Sequence, residues 1–206
     1  MYPAALVATN PFICYTAYMK PITPASPHAI IIVGIPGSGK STFAEHFADT
    51  FKAPIINESR IAFEAGLDAA QTAAVSAAFL NQILKINQTF LVEAANLTKA
   101  KRNRLIATVK KAGYRPLIVW VQTEPYEAKR RALKAKPTGS GLSDSAFETA
   151  IQDFQPPVAL DKATVISGKH TYATQLKVVL KQLAGSRPDT HIEPPKPRQS
   201  GNIVVR

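Results

Sequence analysis

The segment Gly34-Ile35-Pro36-Gly37-Ser38-Gly39-Lys40-Ser41 satisfies every required position of G-x-x-x-x-G-K-[ST]. Glycines at 34, 37 and 39 free the backbone to curl until successive N–H groups face phosphate oxygens, and a helix starting behind them adds positive potential. Pro36, Ser38 and Thr42 complete the expected cradle. Lys40 then brings a full charge to the β- and γ-phosphates of a nucleoside triphosphate, and the Ser41 hydroxyl is placed to ligate the magnesium that bridges them. Four required positions drawn at average residue frequencies would match by chance in about one chain in a hundred of this length.

Such a loop works only between a strand and a helix, and the flanking pattern predicts both. Ile30 to Val33 is apolar and β-branched, and the stretch after Ser41 places Phe43, Ala44 and Phe47 at helical spacing. Further strands are expected at 54–57, 89–94, 116–122 and 164–167, each short and nearly all apolar, as buried parallel strands are. Helices are expected at about 40–51, 70–87, 98–112, 125–134, 143–153 and 171–184. The alternation predicts an α/β fold, a P-loop three-layer sandwich around a parallel sheet of about five strands.

A phosphate loop does not by itself choose a reaction. No N-K-x-D and no D-x-x-G sequence occurs, which counts against a GTPase. The apolar run Phe90-Leu91-Val92-Glu93-Ala94-Ala95 carries one acid without a second beside it, which weakens a mechanical ATPase reading.

With these segments in order, residues 30 to 184 resemble the small P-loop kinases that include polynucleotide 5′-hydroxyl kinases and zeta-toxin-type sugar-nucleotide kinases. The resemblance rests on the phosphate loop, on Ile56-Asn57-Glu58-Ser59-Arg60-Ile61, and on Val92-Glu93-Ala94-Ala95-Asn96-Leu97-Thr98. It continues through Arg102 and Arg104, the Ala112-Gly113-Tyr114 corner, Leu117 to Val121, and Arg130-Arg131. It implies ATP and Mg2+ as cofactors and transfer of the γ-phosphate to a hydroxyl. Glu93 falls where the family has an acid that orders magnesium or its water, and Asn96 matches the family's Asn in the same turn. Thr98 reads as the N-cap of the next helix. Arg130 and Arg131, followed by Lys134, Lys136, Gly139 and Gly141, resemble a basic lid over residues 129–142 whose arginine stabilises the transferring phosphoryl group.

The family's catalytic aspartate and its acceptor-gripping arginine map to Ser59 and Ala62, so both expected residues are missing. Glu58, one position earlier, is the candidate base. Glu64 is the alternative one helical turn along, and Arg60 a candidate acceptor contact. Two rivals to the kinase stay open: a nucleic-acid-binding ATPase or switch, and a degenerate nucleotide-binding module.

The 206-residue chain carries 25 Lys and Arg against 14 Asp and Glu, a net charge of +11. Residues 95 to 140 hold twelve of those cations and only Glu124 and Glu127, nearly the whole excess. This favours a phosphate-bearing acceptor, nucleic acid being one form, although a plain solvated helix face accounts equally for the run. Aromatics do not interleave with the cations, so stacked single-stranded recognition lacks support. The Pro-rich stretches 1–27 and 185–206 read as tails. With one cysteine, Cys14, a disulfide framework is excluded, and the four histidines show no zinc spacing. No apolar run reaches the roughly 20 residues of a membrane span and the start does not read as a secretory signal, so a cytoplasmic location is expected. Ser167-Gly168-Lys169, after the last strand, is a candidate wall of the adenine pocket by position.

Overall fold

A computed structural model describes residues 27–93, 98–134 and 141–185. Cys14, Asn96, Lys136, Gly139, His191 and nearly all of both tails lie outside these residues. Five parallel strands form the sheet: β1 (His28–Val33), β2 (Ile55–Asn57), β3 (Phe90–Glu93), β4 (Arg115–Gln122) and β5 (Thr164–Ser167). Their order is β2-β3-β1-β4-β5, so the strand that feeds the phosphate loop is central. All six residues of β1 are buried because both its faces are covered.

Alternation along the strands sends side chains to two cores. On one face Ile30, Ile32, Leu91, Val119 and Val121 pack against Phe43, Ala44 and Phe47 of α1 (Lys40–Phe51) and Val179 and Leu183 of α7 (Tyr172–Gly185). On the other, Ala29, Ile56, Phe90 and Val92 meet Leu80, Ile83 and Leu84 of α3 (Ala69–Ile86), Val109 of α4 (Lys99–Lys111), and Ile61 of α2 (Glu58–Ala65). A smaller cluster of Ala128, Ala132 and Phe147 joins α5 (Pro125–Leu133) and α6 (Asp144–Gln152), with Ile35 of the phosphate loop packed against it.

The α/β sandwich, the five strands and the six expected helices match the architecture, within a residue or two at their ends. The seventh helix, α2, was not anticipated. Its eight residues are fewer than the roughly 11 over which a helical period is counted, so its apolar spacing does not stand out in the sequence. The Asn57 side chain starts it by accepting from Arg60 N at 2.9 Å. Among the described residues no helix is long and apolar enough to cross a membrane.

Candidate functional site

The phosphate loop leaves β1 with positive φ at Gly34, Gly37 and Gly39, and Gly39 caps α1. Gly37 has φ +74°, and a Cβ there would fall on the Ala128 carbonyl oxygen of α5, so the loop is locked beneath that helix. Ser38 N donates to Ile35 O at 3.2 Å, and Thr123 Oγ1 donates to Ser38 O at 2.9 Å from the end of β4. Lys40 is buried to 8% exposure and its Nζ donates to Ile35 O at 2.9 Å. Pro36 and Thr42 lie in the loop and the first turn of α1, where the motif puts them.

Parallel register brings the acidic end of β3 to this loop. Glu93 pairs with Ile32 of β1 on one side and with Asn57 of β2 on the other. Ser41 Oγ donates to Glu93 Oε1 at 2.7 Å, and Asn57 Nδ2 donates to Glu93 Oε2 at 2.9 Å. Glu93 is 6% exposed, so its carboxylate is held in place from both oxygens. Ser41 and Glu93 are hard oxygen donors beside the phosphate loop. Magnesium takes one or two protein oxygens and completes its shell with water and phosphate, so this pair fits it.

Glu58 follows Asn57 directly and opens α2. Burial pushes its carboxyl above the ordinary range, and the nearby charge of Lys101 opposes that shift. Glu64, by contrast, is tied at the surface to Arg60, whose Nε lies 2.7 Å from Glu64 Oε1. The Arg60 guanidinium also lies 4.0 Å from Glu45 of α1. These two residues therefore serve each other, which leaves Glu58, next in sequence to the Glu93 partner Asn57, as the candidate carboxylate. Thr98 does cap α4, accepting from Lys101 N at 3.3 Å.

The lid residues split. Lys129 to Leu133 belong to α5, while 135–140 lie outside the described residues. Arg130 is paired at both Nε and Nη2 with Glu127, each at 2.8 Å. Arg131 Nε also bonds Glu127, and its Nη1 donates to Gly168 O at 3.0 Å. The two arginines hold the Glu127 carboxyl down at about 2.

Arg131 lines a cavity of about 160 Å3 with Gly39, Thr42, His46, Gly168 and Tyr172. Gly168 fits there because a Cβ would collide with Ser38 O and Thr123 Oγ1. His46 and Tyr172, with ring centroids 5.1 Å apart, were missed from sequence. The signal available was His46 standing one helical turn beyond Thr42. Asn57 and Thr123 were missed as well; each acts through a partner far along the chain.

The cations of residues 95–140 do not form one free surface. Arg102 is fully buried, donating to Gln155 O at 3.1 Å and to Asp161 Oδ2 at 3.2 Å. Lys129 is paired with Asp144 and Glu148, and the α5 arginines with Glu127. Asp144, Glu148 and Asp161 stand outside the window, so a count along the chain could not see them.

A family model described as an AAA domain matches residues 30–157. No curated protein matches the chain in sequence. Among solved structures, a gluconokinase from Sinorhizobium meliloti 1021 is 19% identical with TM-score 0.58, over 77% of this chain and 93% of that one. Kti12 of Chaetomium thermophilum, in complex with ADP-AlF3, is 15% identical with TM-score 0.60, over 76% and 97%. The APS kinase CysC of Mycobacterium tuberculosis, in complex with AMPPNP and APS, is 19% identical with TM-score 0.53, over 79% and 100%. These likenesses establish a P-loop kinase-like fold.

Proposed function

The chain belongs to this AAA domain family, and from that premise we propose that it transfers the γ-phosphate of MgATP to an acceptor hydroxyl. The observation that carries the reading is the triad of Ser41, Glu93 and Asn57, joined at 2.7 and 2.9 Å with Glu58 next in sequence. Two oxygens suited to magnesium and a partly desolvated carboxylate at the C-terminal end of the same parallel sheet support this reading.

In this reading the loop amides and Lys40 hold the phosphates, and the Arg131 guanidinium flanks the base in the cavity with His46 and Tyr172. Ser41 and Glu93 would hold magnesium, which would supply positive charge against the phosphates. Glu58 takes the proton of the acceptor hydroxyl as its oxygen bonds to the γ-phosphorus and the bond to ADP breaks. Arg130 reaches the transferring group only by exchanging its Glu127 partner. The raised proton affinity of Glu58 suits a base working closer to neutrality than a free carboxylate.

The acceptor in this proposal carries phosphate, as in the polynucleotide and zeta-toxin-type kinases that the sequence resembles. Lys101, Arg104 and Lys111 lie on one exposed face of α4 with Thr108 between them, and none has an ion pair among the described residues. Lys101 is close enough to act on the Glu58 charge, so the stripe begins beside the candidate base. A nucleic-acid 5′ end fits that track. A second reading, an ATPase or switch without acceptor transfer, is favoured by Ser59 and Ala62 where the family has its aspartate and arginine.

The test is incubation with γ-labelled ATP, magnesium and a panel of 5′-hydroxyl DNA, RNA, nucleosides and sugar nucleotides. Label on an acceptor, lost in Lys40→Ala and cut about 10²-fold or more in Glu58→Gln, is the expected result. Label found only in free phosphate would replace the kinase with the ATPase, and full transfer by Glu58→Gln would remove Glu58 from the base role.

A further inference from the structure

Beyond the C-terminal ends of β4 and β5 lies a second and larger cavity, of about 630 Å3, that the phosphate-transfer reading does not use. It stands back to back with the cavity flanked by Arg131. The loop after β5 divides them, with Ser167 and Lys169 lining the larger and Gly168 and His170 the smaller. The phosphate loop is shared in the same way, Ile35 on one side and Gly39 on the other.

The walls of the larger cavity are mostly apolar and include two aromatic rings, Trp120 at the end of β4 and Phe154 after α6, with Ile35 and Ile151 between. All four are only partly buried, although Val119 and Val121 on either side of Trp120 are core. The wall is held by a clamp: Gln155, next to Phe154, receives the buried Arg102 on its carbonyl and Lys99 N on its side chain at 2.8 Å. Gln122 also lines the cavity, and its side-chain amide is exposed and makes no hydrogen bond among the described residues. Lys169 is turned to Glu124 at 3.4 Å, so the rim offers a balanced pair of charges.

We infer that this cavity is a second ligand site, which takes a planar heteroaromatic ring of the nucleoside class against Trp120 and Phe154, its polar edge read by the Gln122 amide. The volume of this open cleft is in the range of small-molecule sites, and a mostly apolar lining with a few polar groups is their usual composition. A sugar would leave hydroxyls unpaired on the apolar walls. A simple anion would meet Glu124 as soon as Lys169. A flat ring buries its faces on the aromatic pair and keeps its edge hydrogen-bonded. The inference concerns binding and does not depend on phosphate transfer.

Trp120 is the chain's one tryptophan, so its emission reports on this cavity directly. The full chain is titrated with guanosine, with ribose and gluconate as controls. A saturable change in tryptophan emission with guanosine and none with the two controls is expected. Phe154→Leu, which keeps apolar bulk but removes the ring, and Gln122→Ala should each weaken the response, the first about tenfold. Unchanged circular dichroism in both variants separates lost binding from lost fold. No saturable response, an equal response to ribose, or an undiminished response in both folded variants would overturn the site.

Discussion

Helices α4 and α5 carry most of the chain's excess positive charge and dispose of it in opposite ways. On α5, Lys129, Arg130 and Arg131 all face carboxylates, and the helix is bound to its neighbours through Asp144, Glu148 and Gly168. On α4, Lys99, Lys101, Arg104, Lys110 and Lys111 are exposed without an ion pair among the described residues, while Arg102 is sealed inside. A run of positive charge is therefore three things at once: a neutralised brace beside the cavity at Gly39 and Gly168, a free surface beside the candidate acceptor site, and one structural rivet.

The largest expected effect breaks α4 from within. Arg102→Ala leaves Asp161 and the Gln155 carbonyl without their buried donor and should cost about 3–5 kcal/mol in denaturant unfolding. Arg104→Ala, one turn away and exposed, should stay within about 0.5 kcal/mol. Equal losses would erase the distinction between them.

Next is the surface itself. Replacing Lys101, Arg104 and Lys111 together with alanine should flatten the salt dependence of oligonucleotide binding by about two units of log–log slope. Replacing Lys129 and Arg130 should change that slope little, because their charges are already matched. An equal flattening by both variants would move the nucleic-acid track to α5.

A smaller effect is read in pH. Desolvation raises the proton affinity of Glu58, so the acid limb of transfer should lie above the ordinary carboxylate range, the activity falling as pH drops and the base is protonated. Lys101 opposes that rise, so Lys101→Ala should move the limb to still higher pH. A limb displaced to lower pH would show that Lys101 does not act on the base.

The smallest change is expected from Glu127→Gln. Its carboxyl, held at about 2, stays ionised across the working range, and its pairing with the arginines is lost only as pH falls through that value. Removing the charge at neutral pH frees Arg131 to wander from Gly168 and should raise the KM for ATP about two- to fivefold, the scale of an exposed pair. A kcat effect without a KM effect would put Glu127 nearer the transferring phosphate than the base.

The phosphate loop was legible because its requirements are local: glycines that tolerate positive φ, a lysine and a serine in consecutive positions, and a strand and helix around them. The strands were legible for a similar reason, since burial on both faces writes a continuous apolar run. Helix α2 was not, because eight residues are too few to count a helical period over. Glu58 could be nominated by its position after β2, but its separation from Glu64 needed the surface pair between Glu64 and Arg60. Tyr172 and Asn57 carried no pattern of their own, and His46 only its place one helical turn beyond Thr42.

The sequence by itself determined the α/β class, the phosphate loop and the sign of the charge, all properties of composition and of spacing within one element. Only the tertiary structure decided which acid meets Ser41, which cations remain unmatched, and that the loop after β5 separates two cavities. Those outcomes depend on partners dozens of residues apart, such as Ser41 and Glu93 or Arg102 and Asp161. Sheet order and register bring them together, and no local periodicity encodes that pairing.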